Sequence, residues 1–408
     1  MIKQAFKFRI YPDSEQQVEL DKQFGYSRFV YNHYRAVRAD YYFETGTGLN
    51  YNDCAQDLTD RLKEDHPWLK QADSQVLQQA LKDLDKAYEN FFRMVKEGTL
   101  PKPGKKPRKD GMPKGYPTFW KKHDDQSIRY PQRFKLGGDL LYLPKVGWVK
   151  IVLHRVIKGK MKNCTVSKTK TGKYFVSIQC EVEHTTPEQK PTKVGIDLGL
   201  TTFATFSDGL KIDKPKHFYA SERRLKIRQR RVSRKVKGSN SRGKAKLVVA
   251  SIHEKIANQR KDFHHKLSRT IVDTFGTIAF ESLNINGMLK NHNLAKAIAD
   301  AGWNQFVGFV EYKAAWNGCE VLKVDRFFPS SKLCSDCGEK NQSLTLNIRQ
   351  WVCTSCGVIH DRDGNAAINI LKETTRGARE SYADGYMIDV GRSASEKFQV
   401  TGLEAQVL

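Results

Sequence analysis

Between Ser74 and Phe92 the chain reads SQVLQQALKDLDKAYENFF. Its apolar residues return every third or fourth position, at Val76, Leu77, Ala80, Leu81, Leu84, Ala87, Tyr88 and Phe91. That period predicts an amphipathic helix whose stripe is core, with Ser74, Gln75, Gln78 and Gln79 on the polar side. Upstream, PDSEQQVEL sets Asp13 three residues before Gln16, the spacing of a capping box, and residues 13 to 97 read as helical. From 127 to 184 the period drops to two. LLYLP, VKIVLH, NCTVSKT and YFVSIQCEVE are short alternating strands divided by Gly and Lys, which predicts a small β-barrel. The stretch between, residues 98 to 122, holds five of the thirteen prolines and many lysines, so it reads as a loop lying against phosphates. Its Tyr116, Phe119 and Trp120 suit base stacking or an internal anchor equally well.

From residue 192 buried strands replace alternating ones. TKVGIDLGL ends in Asp197 and is followed by a second strand, TTFATFSDG. FGTIAFESL ends in Glu281. An amphipathic helix then carries Trp303, Phe306, Val307, Val310 and Ala314 on one face and stops at Gly318. CEVLKVD is a third core strand, and a last helix begins at Asp363. In an RNase H-like sheet this order gathers Asp197, Glu281 and Asp363 at one edge. Three hard oxygen ligands suit Mg²⁺, and two such ions activate a water and stabilise the leaving oxygen of a phosphodiester. Taken singly, each acid has a plainer role, as a strand-end turn residue or, for Asp363, as a helix cap. Asp361 competes with Asp363, which is preferred because DGNAAINI sets it at the helix start above Ala366 and Ala367. Gly195 and Gly199 flank Asp197 and are expected to let a nucleic-acid backbone approach.

Charge extends this picture. The 408 residues carry 70 Lys and Arg against 45 Asp and Glu, a net +25 with a pI near 9.6. Such a surplus points to polyanion binding, and it is clustered. Between Glu222 and Asp262 stand fifteen Lys or Arg against three acids. Leu225, Val232, Val236, Leu247 and Ile252 supply a narrow apolar stripe, so two helices broken near 238–243 would pack on one side and face something anionic on the other. A solvated charged hairpin is the plainer alternative. The N-terminus lacks the apolar run of a signal peptide and no stretch approaches a membrane span, so a cytoplasmic protein is expected, one whose eight cysteines argue against disulfides.

Cys54, Cys164, Cys180 and Cys319 stand alone. Cys334–Cys337 and Cys353–Cys356 are two C-x-x-C pairs fifteen residues apart, with Gly338 and Gly357 directly after them. This is the spacing of a zinc ribbon, a closed structural site for one Zn²⁺ that performs no chemistry itself. LTLNIRQWVC between the pairs reads as a short hairpin strand. His360 is a fifth candidate ligand, though a surface or helix-capping histidine is the reading preferred here.

The stretches GIDLGLTTFATFSDG, FESL, FPSSKLCSDCG…WVCTSCGVIHDRDGNAAINI and the N-terminal FKFRIYP…RFVYNHY resemble TnpB, the compact RNA-guided endonucleases of bacterial insertion sequences, which are similar to the nuclease half of type V CRISPR effectors. The resemblance runs from about residue 3 to 371. It implies an α+β multidomain chain: a β-barrel wedge domain (1–12 and 100–190) carrying a helical recognition insertion (13–99), a RuvC-like nuclease domain (191–328 and 358–371) with an inserted zinc ribbon (329–357), and a tail (372–408) without periodicity, as in disordered segments. It implies that Asp197, Glu281 and Asp363 are the catalytic, Mg²⁺-binding residues, and that a transposon-derived guide RNA pairs with one strand of a double-stranded DNA target. The protein itself would read a short flanking duplex motif, with Tyr51, Ser74, Gln75 and Gln78 as candidates. Arg223, Arg224, Arg230, Arg231, Arg234 and Lys235 would contact RNA or heteroduplex phosphates. No obligate protein partner is expected. The rival readings are a carboxylate-triad transposase, for which no clear helix-turn-helix is visible, and a nucleic-acid-binding regulator without catalysis.

Overall fold

A computed structural model describes residues 1–101, 110–123, 125–215, 217–345 and 347–383. The centre of the proline-rich stretch and residues 384–408 lie outside the described residues; residues 372–383, expected to open a disordered tail, instead continue the last helix, Arg362–Ala383. The chain divides into two units, Met1–Glu183 and a second that begins at His184.

In the first unit the chain forms β1 (Ile2–Tyr11), α1 (Ser14–Thr45), α2 (Ser74–Lys96), β2 (Gln126–Tyr130), β3 (Lys135–Gly137), β4 (Leu140–Leu143), β5 (Gly147–Val152), β6 (Lys160–Lys168) and β7 (Tyr174–Val182), with short helical turns between α1 and α2. The strands make one antiparallel sheet in the order β2-β6-β7-β1-β5-β4-β3. Among the described residues no pairing joins β2 to β3, so the hydrogen-bonded order of the expected barrel stays open. Alternation explains the core: Phe6, Phe8 and Ile10 of β1 are buried with Val149, Ile151, Val176 and Ile178, while the residues between them face out.

α1 opens on the capping box foreseen at Asp13 and Gln16, whose side chains and backbone N–H groups bond reciprocally at 2.9 and 3.1 Å. It ends at Gly46, whose φ of +72° is left-handed. The side chain of Asp73 caps α2, whose buried stripe is the expected one except for the half-buried Ala87; Gln79, expected on the polar side, is buried with it. Trp120 stacks on Tyr31 with ring centroids 3.9 Å apart, and the Tyr116 hydroxyl lies 2.9 Å from that of Tyr88. These two aromatics are therefore internal anchors. Phe119 stays exposed, with the Arg35 guanidinium 4.1 Å from its ring centroid.

The second unit contains β8 (Lys193–Asp197), β9 (Thr202–Phe206), β10 (Lys211–Asp213), α3 (His217–Ser233), α4 (Asn240–Thr274), β11 (Thr277–Glu281), α5 (Trp303–Trp316), β12 (Glu320–Val324), β13 (Gln350–Val352), β14 (Ile359–Asp361) and α6 (Arg362–Ala383). Five strands make a mixed sheet ordered β10-β9-β8-β11-β12. β8 is antiparallel to β9 and parallel to β11, which is parallel to β12. Helices cover both faces, which is why these strands read as apolar runs rather than alternations. Val194, Ile196, Ile278 and Phe280 pack with Ile271 and Val272 of α4 and with Trp303, Phe306 and Val310 of α5. On the other face Ala279 and Val324 meet Ile370 of α6.

α6 lies on β8 at Gly195, where a Cβ would come within 2.1 Å of the Ala367 carbonyl oxygen; at Gly199 it would lie 2.7 Å from the Thr202 oxygen. Both glycines thus serve contacts of the chain with itself. The approach of a nucleic-acid backbone expected from them is not what their space is used for.

Candidate active site and metal centre

Strand parity places two of the three expected acids. Asp197 is two residues after Gly195 and Glu281 two after Ala279, so both project to the face that α6 covers. The neighbouring register pair Ile196 and Phe280 sets them side by side at the ends of β8 and β11. Asp363 joins them from the first turn of α6. Burial pushes Asp197 up to about 7, the charges of Glu281 and Asp363 add to the rise, and Arg362 and Arg349 oppose it. Two more carboxylates therefore act on the half-buried Asp197, although among the described residues the three do not bring their oxygens within 4.8 Å of one another; a hard dication would draw such donors together. Glu281 accepts a hydrogen bond from the Ser330 hydroxyl, and Arg349 Nη1 stands 3.4 Å from Asp363 Oδ1.

Asp361, the competing acid, is otherwise engaged. Its Oδ1 accepts the Gly364 N–H at 2.9 Å, so it caps α6, and its Oδ2 lies 3.0 Å from Lys211 Nζ. Burial works upward on this carboxyl, but the Gly364 N–H and the Lys211 ammonium outweigh it and hold it below the usual carboxylate range.

The four paired cysteines converge, with all their sulfurs within 4.8 Å of one another. Cys334 and Cys356 are 3.6 Å apart, as are Cys337 and Cys353, near the ~3.8 Å edge of a tetrahedron built on ~2.3 Å Zn–S bonds. Each pair sits in the same turn: Gly338 and Gly357, at φ +80° and +75°, donate to the carbonyls of Cys334 and Cys353 at 2.9 Å. His360, expected at the surface or as a cap, is instead buried on β14. Its ring packs on Trp351, and its Nε2 is 3.0 Å from Cys334 Sγ and 3.7 Å from Asp336 Oδ2. The cap belongs to its neighbour Asp361.

The family model described as "Probable transposase" matches residues 177–292, one described as "Cas12f1-like, TNB domain" matches 303–370, and one described as "Helix-turn-helix domain" matches 1–47. A Streptomyces pristinaespiralis protein named "Putative RNA-guided DNA endonuclease" is 38% identical over 91% of this chain and 89% of its own length. The chain belongs to the TnpB family. The Escherichia coli (strain K12) relative named "Putative RNA-guided DNA endonuclease InsQ" is 32% identical over 97% of both chains. The solved structure titled "Structure of the mini-RNA-guided endonuclease CRISPR-Cas_phi3" aligns with 91% of this chain and 92% of its own at a TM-score of 0.50 and 10% identity, a likeness of fold alone. Residues 1–47 of this TnpB chain, despite the name of the model they match, form one strand and then one unbroken helix of 32 residues.

The remaining expected contacts of this TnpB protein are spread over both units. In the first, Tyr51 opens a short helix, Tyr51–Asp57, with Lys82 Nζ 5.5 Å from its ring centroid. Ser74 and Gln78 are exposed at the start of α2, and Gln75 Nε2 reaches Gln132 Oε1 at 3.4 Å. In the second, Arg223, Arg224 and Arg231 line one cleft together with Arg228; Arg231 and Lys235 line another with Asn240 and Lys244. Arg230 and Arg234 are exposed beside them. The apolar contacts of the two helices are Leu225 with Val249, Ile252 and Ile256, whereas Val236 and Leu247, expected in the stripe, are exposed. Residue-by-residue reading missed Ser330, Arg349, Asn365 and Asn369. The one available signal was a pair of asparagines four apart on an otherwise apolar helix face.

Proposed function

We propose that this TnpB chain is an RNA-guided, Mg²⁺-dependent DNA endonuclease that cuts both strands of guide-matched DNA at one RuvC-like site. The single observation that carries this reading is the placement of Asp197 and Glu281 at the neighbouring ends of β8 and β11, on the face covered by the helix whose first turn carries Asp363, at the end of a sheet whose strand order is that of RNase H-like enzymes. Asp197, Glu281 and Asp363 would hold two Mg²⁺ ions, which when bound supply water activation and leaving-group stabilisation in phosphodiester hydrolysis. The protein's own part is to fix these acids on rigid elements. Two strand ends and a capped helix hold them, and Arg349 and Arg362 limit their mutual repulsion before a substrate arrives. The exposed arginines of α3 would bind guide RNA or heteroduplex phosphates as charges without sequence preference. Tyr51, Ser74, Gln75 and Gln78 remain the candidates for the flanking motif. The four cysteines would hold one structural Zn²⁺ whose role is folding.

The test begins with RNA co-purified from cells carrying the chain in its native locus. With that RNA and a matching duplex, Mg²⁺ should produce double-strand cleavage by the wild type, and Asp197→Ala should abolish it. Strand-transfer products would instead mark a transposase. Equal DNA loss in wild type and Asp197→Ala would mark a protein without this catalysis.

A further inference from the structure

The segment Ser330–Ser335 touches three things at once. At its start, the Ser330 hydroxyl donates to Glu281. Near its end is Cys334, the first metal-type ligand. Between them, α6 grips its backbone with a row of side chains at i, i+4 and i+7, one face of the helix. Asn365 Nδ2 donates to the Leu333 carbonyl at 2.6 Å, and Asn365 Oδ1 accepts the Ser335 N–H at 2.8 Å. Asn369 Nδ2 donates to the carbonyls of Ser330 at 2.8 Å and Leu333 at 2.7 Å. Lys372 Nζ donates to the Ser335 carbonyl. Cys334 is thus clamped on both flanks by the helix that carries Asp363.

Asn365 and Asn369 are 3% and 6% exposed and Ser330 is 4% exposed. A buried amide that loses its partner bears its full desolvation penalty, so the clamp does not loosen gradually. The buried Ala366, Ala367 and Ile370 of α6 already seat it on the sheet. Their bonds have one evident consequence: the loop and the helix move as one piece.

We propose that Ser330 is a positioning residue for Glu281, and that the clamped loop couples the cysteine cluster to the carboxylate cluster. A metal on the thiolates holds Cys334, Cys334 holds the loop, and the loop holds the Glu281 carboxylate in register with Asp363. This inference rests on the carboxylate reading given above. Coupling of this kind is reciprocal, so Mg²⁺ on the carboxylates should slow the loss of Zn²⁺ from the cysteines.

The test uses the full chain bound to its RNA. Zinc release to a chromophoric chelator is followed with and without Mg²⁺, and melting is recorded under the same conditions. Mg²⁺ should slow release from the wild type about five-fold or more. Ser330→Ala should keep one zinc and a near-wild-type melting temperature without Mg²⁺ but lose that protection, and should need about ten- to a hundred-fold more Mg²⁺ for half-maximal cleavage. Ser330→Thr, which keeps the hydroxyl, should restore both. Asn369→Ala should lose the protection through the backbone end of the same clamp. Wild-type release that ignores Mg²⁺ while Mg²⁺ still raises the melting temperature overturns the coupling and leaves the carboxylate site standing. So does Ser330→Ala that behaves as wild type while Glu281→Gln loses its response to Mg²⁺. If Mg²⁺ stabilises neither wild type nor Glu281→Gln, the carboxylate reading itself fails.

Discussion

At the scale of the residue, Asp197 carries an unusual cost. Burial and two neighbouring carboxylates raise it to about 7, from about 3.9 in an unfolded chain. A raised acid binds its proton more tightly folded than unfolded, so its contribution is fully favourable below about pH 4. That contribution is lost as pH rises through about 7. The metal-free protein should therefore become less stable across that window, by an amount on the order of 2–4 kcal/mol from this group. Asp197→Asn removes the titration. At pH 8 without divalent ions the variant should melt above the wild type, at pH 5 the gap should be less than half as large, and Mg²⁺ at pH 8 should raise only the wild type. Melting curves at the two pH values decide it. A variant that melts with the wild type at pH 8 would show that Asp197 does not bear the repulsion.

At the scale of the element, the site depends on how α6 lies on β8. Ala366, Ala367 and Ile370 are buried, and at Gly195 the helix backbone itself fills the space of a side chain. Gly195→Ala must push α6 outward or distort β8, since the obstacle is a carbonyl oxygen rather than a flexible side-chain tip. Overpacking of this kind costs about 1–3 kcal/mol or more, which in a unit of this size lowers Tm by roughly 2–12 °C. Because α6 also carries Asp363, cleavage should fall more steeply than stability. An Ala variant with wild-type Tm and rate would show that α6 does not need this contact. The same place shows what was legible in the sequence. Local pattern located the stripes of α2 and α5, the buried runs of β8 and β11, and the box at Asp13 and Gln16; β12, expected as a third core strand, is a sheet edge with only Val324 buried. Gly195 was misread because a glycine's neighbour lies 172 residues downstream at Ala367, and no local pattern names it. His360 and the asparagines of α6 were missed or misassigned for the same reason: their partners are fixed by the fold, not by spacing. Asp361 and Asp363 were separable in sequence only by position relative to a helix start, and the Lys211 partner that occupies Asp361 comes from a strand, β10, that was not foreseen.

At the scale of the whole molecule, the net charge of +25 is either a general property or a local device, and the two differ in measurable ways. A general surplus attracts any polyanion weakly, and removing four charges anywhere would change little beyond the mean field. A local device neutralises particular phosphates and releases their counterions, so each lost contact lowers the slope of log K against log salt by about 0.7 for a single strand. α3 is where the second behaviour is expected, because Arg223, Arg224, Arg230 and Arg231 are exposed, three of them along one cleft, and have no acid within salt-bridge reach among the described residues. Substituting Arg223, Arg224, Arg230 and Arg231 by Gln removes four charges without touching the Leu225 cluster, so Tm should hold. With a single-stranded RNA of mixed sequence as probe, the slope should flatten by about 3 and affinity at low salt should drop by more than at high salt. A slope that stays at the wild-type value would assign the charge to solubility and leave α3 as a solvated helix. A flattened slope places the polyanion on α3, on the same unit as the carboxylates. Nucleic-acid binding and the chemistry proposed for it would then share one folded body.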